Sequence, residues 1–485
     1  MSPCTLLIPI FLPVVCGFLL LLPGPLQRPA ERRSFLGVVL ALHTVLTVAL
    51  AIQPDIGFTL FHIADRLPVL FRLDNLGRVF SVLSSIMFLA AGIYSFEYMK
   101  HEQDERRFYL FYLMVSGMLS GIAYSGNMMT LYLFFEATTL LSVPLVLHIL
   151  TKEAIAAAFK YLFYSIGGTS LALIGFFFVY TYGTTLEFTS GGVLDAAKLA
   201  GNETAMLLAT LVTIIGFGAK AGMFPLHAWL PAAHPVAPAP ASAVLSGVIT
   251  KAGVFATIRF VFQLVGAGFI HGTFVQYAWL ALSLFTILMG SVLAYKEPML
   301  KTRLAYSSIS QVSYIQFGLA TLTAAGALGG ALHMVFHSII KDALFMAAGA
   351  VIYKTGKTRV DELRGLGRQM PVTLGCFTLL GVALVGIPPG SGFVSKWQLA
   401  VGALASDIGF FSWLGPVVLL VSALLTAGYL LPISIDAFFP GDKATTTVQE
   451  RTDVGISMLL PLILLTVLAF LLGIFPGGLI GFYES

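Results

Sequence analysis

Charge is scarce in this chain. Only 10% of its 485 residues are Asp, Glu, Lys or Arg, against 58% hydrophobic residues, and its mean hydropathy is +0.91. A soluble protein of this length would divide into several polar-surfaced domains; this balance belongs instead to polytopic membrane proteins. Cysteine is nearly missing: Cys4, Cys16 and Cys376 lie far apart and form no C-x-x-C, iron–sulfur or zinc spacing. That argues against a redox centre of the chain's own. There is no nucleotide-binding loop, no serine nucleophile elbow and no H-E-x-x-H motif, so a soluble catalytic domain has no room here. The net charge of +4 implies no nucleic acid partner. The N-terminal stretch lacks a basic n-region and an A-x-A-like site, so it is expected to stay as a first helix.

What the chain does have is apolar runs near the ~20 residues that cross a bilayer. About fourteen are expected, near 3–22, 34–52, 77–98, 108–125, 128–148, 159–182, 205–230, 241–265, 275–295, 302–324, 326–353, 371–405, 411–439 and 454–482. The fold class is therefore all-α and polytopic. Placing the N-terminus outside puts the basic loop residues, from Arg28, Arg32 and Arg33 to Lys443 and Arg451, on the inner side. Only Arg66, Arg72, Arg78 and Lys198 remain outside, which fits the positive-inside rule with both termini outside.

Six basic residues remain within or at the edges of these segments: Lys160, Lys220, Lys251, Arg259, Lys341 and Lys396. A charge at the bilayer centre costs roughly 2.5–3.5 kcal/mol on insertion scales, so such residues face a polar interior or a partner. Lys160 and Arg259 sit nearer helix ends and are expected to snorkel. Acids are sparser still, with Glu136, Asp342 and Asp436 inside segments and Glu136 the most clearly buried by sequence.

Helix breakers interrupt two segments. Gly216, Gly218, Gly222 and Pro225 surround Lys220; Pro388, Pro389, Gly390 and Gly392 precede Lys396. Breaks at membrane depth are tolerated only where protein or a wet cavity satisfies the freed backbone. Two interrupted segments of opposite direction in matching positions suit inverted repeats with discontinuous helices. Pro231, Pro235, Pro238 and Pro240, beside His227 and His234, read as a stiff connector.

His333, His337 and Lys341 are spaced i, i+4, i+8 along one helical face, the pattern of a proton wire. The competing readings are a structural polar stripe and a zinc site, though no further ligands are evident. Glu136 and Lys220 suit a buried pair whose carboxylate biases the lysine's charge; a static salt bridge is the alternative. Lys251 shares its segment with Ser242, Ser246, Gly247, Thr250 and Gly253, which make one face small and polar.

The runs FFEATTLLSVPL, GFGAKAGMFPLHAWLPAAHPVAPAPASAVLSGVITKAG, LKTRLAYSSISQ, HSIIKDALF and GSGFVSKW, taken together, resemble the antiporter-like proton-translocating subunits of respiratory complex I. They are equally similar to subunits of Mrp-type cation/proton antiporters and membrane-bound hydrogenases. The resemblance implies fourteen helices with two inverted five-helix repeats, segments 4–8 and 9–13, each with a half-channel and with helices 7 and 12 broken. In residue terms that means N-terminal helices over 1–98, repeats over 108–265 and 275–439, and a last helix over 454–485. It pairs Glu136 with Lys220, sets Lys251 on a central hydrophilic axis, and matches His333, His337, Lys341 and the terminal Lys396. One complex I member has glutamate at that terminal position, so Lys396 departs from it. The chain also ends without the lateral helix of the most distal complex I subunit.

The expected function is movement of protons or sodium along Glu136, Lys220, Lys251, the His333/His337/Lys341 face and Lys396. The setting is a redox-driven complex in the prokaryotic plasma membrane. This chain would hold no cofactor; iron–sulfur clusters, flavin or a NiFe centre would sit in peripheral partner subunits, beside further membrane subunits. The alternatives are a secondary sodium/proton antiporter subunit without electron transfer and a non-conducting structural subunit.

Overall fold

The computed structural model describes residues 3–441 and 451–484. Met1, Ser2, residues 442–450 with Lys443, and Ser485 lie outside the described residues. Almost every apolar run becomes a helix, because in a medium without water only intra-segment hydrogen bonding satisfies the backbone. Ten helices among the described residues are long and apolar enough to cross a membrane, and Pro3–Leu19 and Pro371–Val385 are shorter apolar ones. The chain divides into two compact units.

The first unit comprises Met1–Leu89, Asp104–Trp229 and Val248–Ala281. It begins with α1 (Ile8–Leu19) and α2 (Pro29–Ala51). An antiparallel hairpin follows, β1 (Ile56–Ala64) and β2 (Leu67–Leu73). This corrects the all-α expectation: the stretch is too short to span, and its Phe, Ile, Val and Thr content favours a strand. The free edge of β2 is covered by the turn after α4, since Arg72 N–H donates to Tyr124 O at 2.8 Å and Gly126 N–H to Leu70 O at 2.9 Å. Then come α3 (Asn75–Tyr98), α4 (Glu105–Ala123), α5 (Met128–Val146), α6 (Lys152–Tyr182) and α7 (Glu203–Ala221).

Helices α6 and α7 approach closely through Gly168 and Gly216; a Cβ on either would meet the other's carbonyl oxygen. Gly216 and Gly218 are therefore packing residues inside α7 and not breakers. The helix ends instead at Gly222, whose φ of +79° suits only a residue without Cβ.

The second unit comprises Ala90–Gln103, Leu230–Gly247 and Leu282–Ser485. The proline-rich stretch that read as a connector is largely helical. Pro231 and Pro235 lie in α8 (Leu230–Val236), and Pro238 and Pro240 start α9 (Ala239–Val265), where a missing N–H costs nothing. Next are α10 (Phe274–Lys296), α11 (Leu300–Ala320) and α12 (Ala324–Thr355). Helix α12 is the most buried candidate span, 94% of its apolar window being covered. The broken pair α13 (Pro371–Val385) and α14 (Ser391–Leu404) packs against it, with α15 (Phe410–Phe438), α16 (Ile456–Ile474) and α17 (Gly477–Glu484) completing the unit.

Candidate functional site

In the first unit the site is built around Lys220, in the last turn of α7 and 1% exposed. Its ammonium donates to Thr139 Oγ1 and to Tyr161 Oη, both at 2.8 Å, and lies 4.9 Å from the Tyr161 ring centroid. Tyr161 in turn shares a 2.6 Å hydrogen bond with Ser142. Glu136, the expected partner, is half-buried one turn before Thr139 on α5, and among the described residues it makes no ion-pair contact with Lys220. Nor is it the most buried acid, since Asp342 is fully buried and Glu105 is 8% exposed.

Beyond Gly222 the chain turns back, and the indole N–H of Trp229 donates to Ala219 O at 2.8 Å. That carbonyl lies in the last turn of α7 and also accepts from the Gly222 N–H at 3.2 Å.

Lys251 is fully buried in α9, between two π-helical turns at Leu245–Ile249 and Val261–Val265. Gly253 lets this helix press on α7: a Cβ there would meet Phe217 O, Ala221 N and the Lys220 Cβ. Of the small face foreseen for the segment, Gly253 packs beside Lys220, while Ser246 Oγ bonds Ser308 Oγ at 2.7 Å and Gly247 lies against Asp342.

Arg259 does not snorkel. It is fully buried and holds Asp74 with both guanidinium nitrogens, Nη2 to Oδ1 at 2.8 Å, while Nη1 also reaches Gln263 Oε1 at 2.8 Å. The rings of Phe188 and Phe255 lie 5.0 and 4.9 Å from its guanidinium carbon. Asp74 sits in the turn before α3. Burial pushes its carboxyl up, but the charge and hydrogen bonds of Arg259, the Gly77 N–H and Arg72 together hold it below the usual carboxylate range. Lys160 is exposed on α6, as expected of an edge residue.

In the second unit, His333, His337 and Lys341 line up on α12, all within 2% of full burial. The imidazoles stack at 5.6 Å with planes 10° apart, and the ring of His333 also stacks on Tyr314 at 5.4 Å. His333 Nδ1 is 2.9 Å from Ser395 Oγ on α14. Lys341 Nζ donates to Leu304 O at 2.9 Å and to Ser307 Oγ, both on α11. Among the described residues no three His, Cys, Asp or Glu side chains converge as a metal site.

Lys396, one turn into α14, reaches back across the second break. Its ammonium donates to Leu384 O at 2.7 Å and Val385 O at 3.0 Å, the last carbonyls of α13, and lies 5.0 Å from the Tyr314 centroid. A cation on a helix C-terminus is the favourable end of the macrodipole. Helix α13 stops at Gly386, with φ +91°, so the break falls where Pro388 to Gly392 placed it.

Thr139, Tyr161, Trp229, Tyr314 and Ser395 carried no signal in the sequence. Four of them are ordinary helix residues and Trp229 sits in the turn before α8, and their contacts come from neighbours on other parts of the chain.

The fold and these hydrogen-bonded lysines define a multi-pass integral membrane protein of antiporter-like type. Residues 125–426 match the family described as NADH:quinone oxidoreductase/Mrp antiporter, transmembrane region, and residues 61–109 match the N-terminus of complex I chain 5. The chain belongs to this family. It is 32% identical over 416 residues to an NADH-quinone oxidoreductase subunit of Desulforudis audaxviator, covering 83% of this chain and 81% of that one. It is 33% identical over 413 residues to a sodium/proton antiporter subunit of Bacillus subtilis, covering 83% and 79%. The Mrp complex from Dietzia contains a chain of the same fold, with TM-score 0.86 at 22% identity, covering 100% of this chain and 96% of that one. A chain of Thermus thermophilus respiratory complex I superposes with TM-score 0.80 at 23% identity, covering 99% and 98%.

Proposed function

We propose that this chain translocates protons, sodium ions or both as one membrane subunit of a multi-subunit complex driven by redox chemistry on partner chains. The carrying observation is the pair of lysines at the two breaks, Lys220 buried and Lys396 half-buried. Lys220 is held by two hydroxyls and Lys396 by two carbonyls, with no acid among the described residues in contact with either ammonium. Hydroxyls donate or accept, so the Thr139 and Tyr161 groups suit both protonation states of Lys220. An acid in contact would lock the charge; Glu136, acting at a distance, can bias it instead.

Each unit then holds its own set: Glu136, Lys220 and Lys251 in the first, and His333, His337, Lys341 and Lys396 in the second. The finer architecture proposed is fourteen spans, each sequence segment corresponding to one helix or to a pair around a break. Two inverted five-helix repeats make up the middle, and both termini face outside the inner membrane. Peripheral subunits would carry the iron–sulfur, flavin or NiFe centres, because moving one charge against 100 mV costs about 2.3 kcal/mol and nothing in this chain supplies it.

The second reading, a secondary sodium/proton antiporter subunit without electron transfer, is favoured by the similarity to the antiporter chain of Bacillus subtilis. Purifying the native assembly and following ion flux in vesicles separates the two. Flux that requires an electron donor, with redox subunits copurifying, supports the first; sodium-dependent proton flux without any donor supports the second.

A further inference from the structure

The lysine sets leave several buried titratable residues unused, Asp342 and His43 among them. His43, 1% exposed on α2, has Nε2 2.9 Å from Ser120 Oγ and Nδ1 3.2 Å from Ser116 Oγ, both hydroxyls on α4. Its third neighbour is the carbonyl of Pro9 on α1. That carbonyl is available because the residue four positions on, Pro13, has no N–H to bond it. A carbonyl only accepts and a hydroxyl turns either way, so this cradle satisfies both neutral and protonated imidazole.

The two serines belong to a longer row. Glu105, Tyr109, Tyr112, Ser116, Ser120 and Tyr124 follow one another at spacings of three or four residues, which puts them on one face of α4. Each of the six is buried. From Glu105 to Tyr124 is about 28 Å at helical rise, close to the ~30 Å hydrocarbon thickness. At one end Tyr109 Oη donates to Glu105 Oε1 at 3.0 Å, and Arg32 and Arg33 hold the same carboxylate. At the other, the Tyr124 carbonyl accepts from Arg72 N–H on the edge of β2 at 2.8 Å. Thr47 and Ser85, hydrogen-bonded at 2.8 Å, flank the row on α2 and α3. Gly117 lets α1 close over it, since a Cβ there would strike the Ile10 carbonyl.

We propose that the helices α1 to α4 enclose a second proton path, from Glu105 through Tyr109, Tyr112, Ser116, His43 and Ser120 to Tyr124. It uses none of the lysines and rests on the reading of the chain as an ion translocator. Each hydroxyl accepts a proton on one side and releases its own on the other; the imidazole takes one at one nitrogen and gives one up at the other. Row members that do not bond one another directly, such as Tyr112, whose Oη donates to Phe88 O at 2.8 Å, need a bridging water to pass the proton on. A structural polar seam would need the hydrogen bonds only; a path needs the titration of His43.

The test measures proton flux in membrane vesicles carrying the native assembly, with the amount of assembled complex quantified. The variants are Lys220→Ala, His43→Gln and Ser120→Ala. Glutamine keeps the hydrogen bonding of His43 and cannot carry a proton. A partial fall in flux in His43→Gln, at wild-type assembly, supports the path; wild-type flux overturns it, and if Lys220→Ala still lowers flux, the translocator reading survives that result. Unchanged flux in Lys220→Ala strikes instead at the lysine reading on which the path rests, and overturns both. If His43→Gln does not assemble, Ser120→Ala, which removes a single oxygen, decides the matter: reduced flux supports the path and unchanged flux overturns it.

Discussion

Trp229 closes the first helix break by donating its indole N–H to Ala219 O at 2.8 Å. Lys396 does the corresponding work at the second break, on the carbonyls of Leu384 and Val385. At each break a side chain from the returning segment donates to carbonyls at the end of the first half-helix, sharing Ala219 O with the Gly222 N–H at the first break. The consequence differs: at the first break Lys220 is left for hydroxyl partners, while at the second the lysine itself is the cap.

Trp229→Phe keeps an aromatic ring beside Tyr161 but removes one of the two donors to Ala219 O, leaving the Gly222 N–H. A single hydrogen bond of this kind contributes about 0.5–1.5 kcal/mol. The thermal midpoint of the detergent-solubilised protein is expected to fall; an unchanged midpoint would mean that another group satisfies the carbonyl.

Tyr161→Phe removes one of the two acceptors of the Lys220 ammonium and keeps the ring against which it lies. Ion flux is expected to fall well below wild type with assembly retained, and Thr139→Val should act in the same direction. Full flux in both would show that these hydroxyls only pack.

Glu136→Gln removes the field on Lys220 without breaking an ion-pair contact, because the two side chains make none. Stability should therefore hold within about 0.5 kcal/mol, the range of changes away from special features, while coupled transport falls. Intact transport would end the switch role for Glu136.

Asp74 and Arg259 give the pH prediction. The Asp74 carboxyl is held below its ordinary value of 3.8, so the ionised form favours the folded state. That stabilisation is fully present above the unfolded value and is lost as pH falls through the lower folded one. Acid unfolding of Asp74→Asn should lack this component below about pH 4. At neutral pH the variant should be destabilised towards the low end of the roughly 3–5 kcal/mol for breaking a buried pair, because the Asp74 side chain is 25% exposed.

Much of the architecture was legible because apolar run length, proline and intramembrane charge act locally. The helices around Lys220, Lys341 and Lys396 and the break at Pro388–Gly392 follow from those signals. What escaped depends on distant neighbours. Arg259 looked free to snorkel because Asp74, its partner, is 185 residues away. Gly216 looked like a breaker because its reason, the Gly168 carbonyl, lies on another helix. Thr139 and Tyr161 escaped beside Glu136 because they carry no charge. The π turns flanking Lys251 have no residue signature at all, and the hairpin was hidden in a stretch between spans.

The central claim is that Lys220 and Lys396, the lysines at the two breaks, carry ions. Its most direct test is ion flux in vesicles containing the native assembly, comparing wild type with Lys220→Ala and Lys396→Ala at matched amounts of assembled complex. The account predicts that each substitution abolishes most of the flux while the complex still assembles. Wild-type flux in both variants would contradict it and leave the chain a structural subunit.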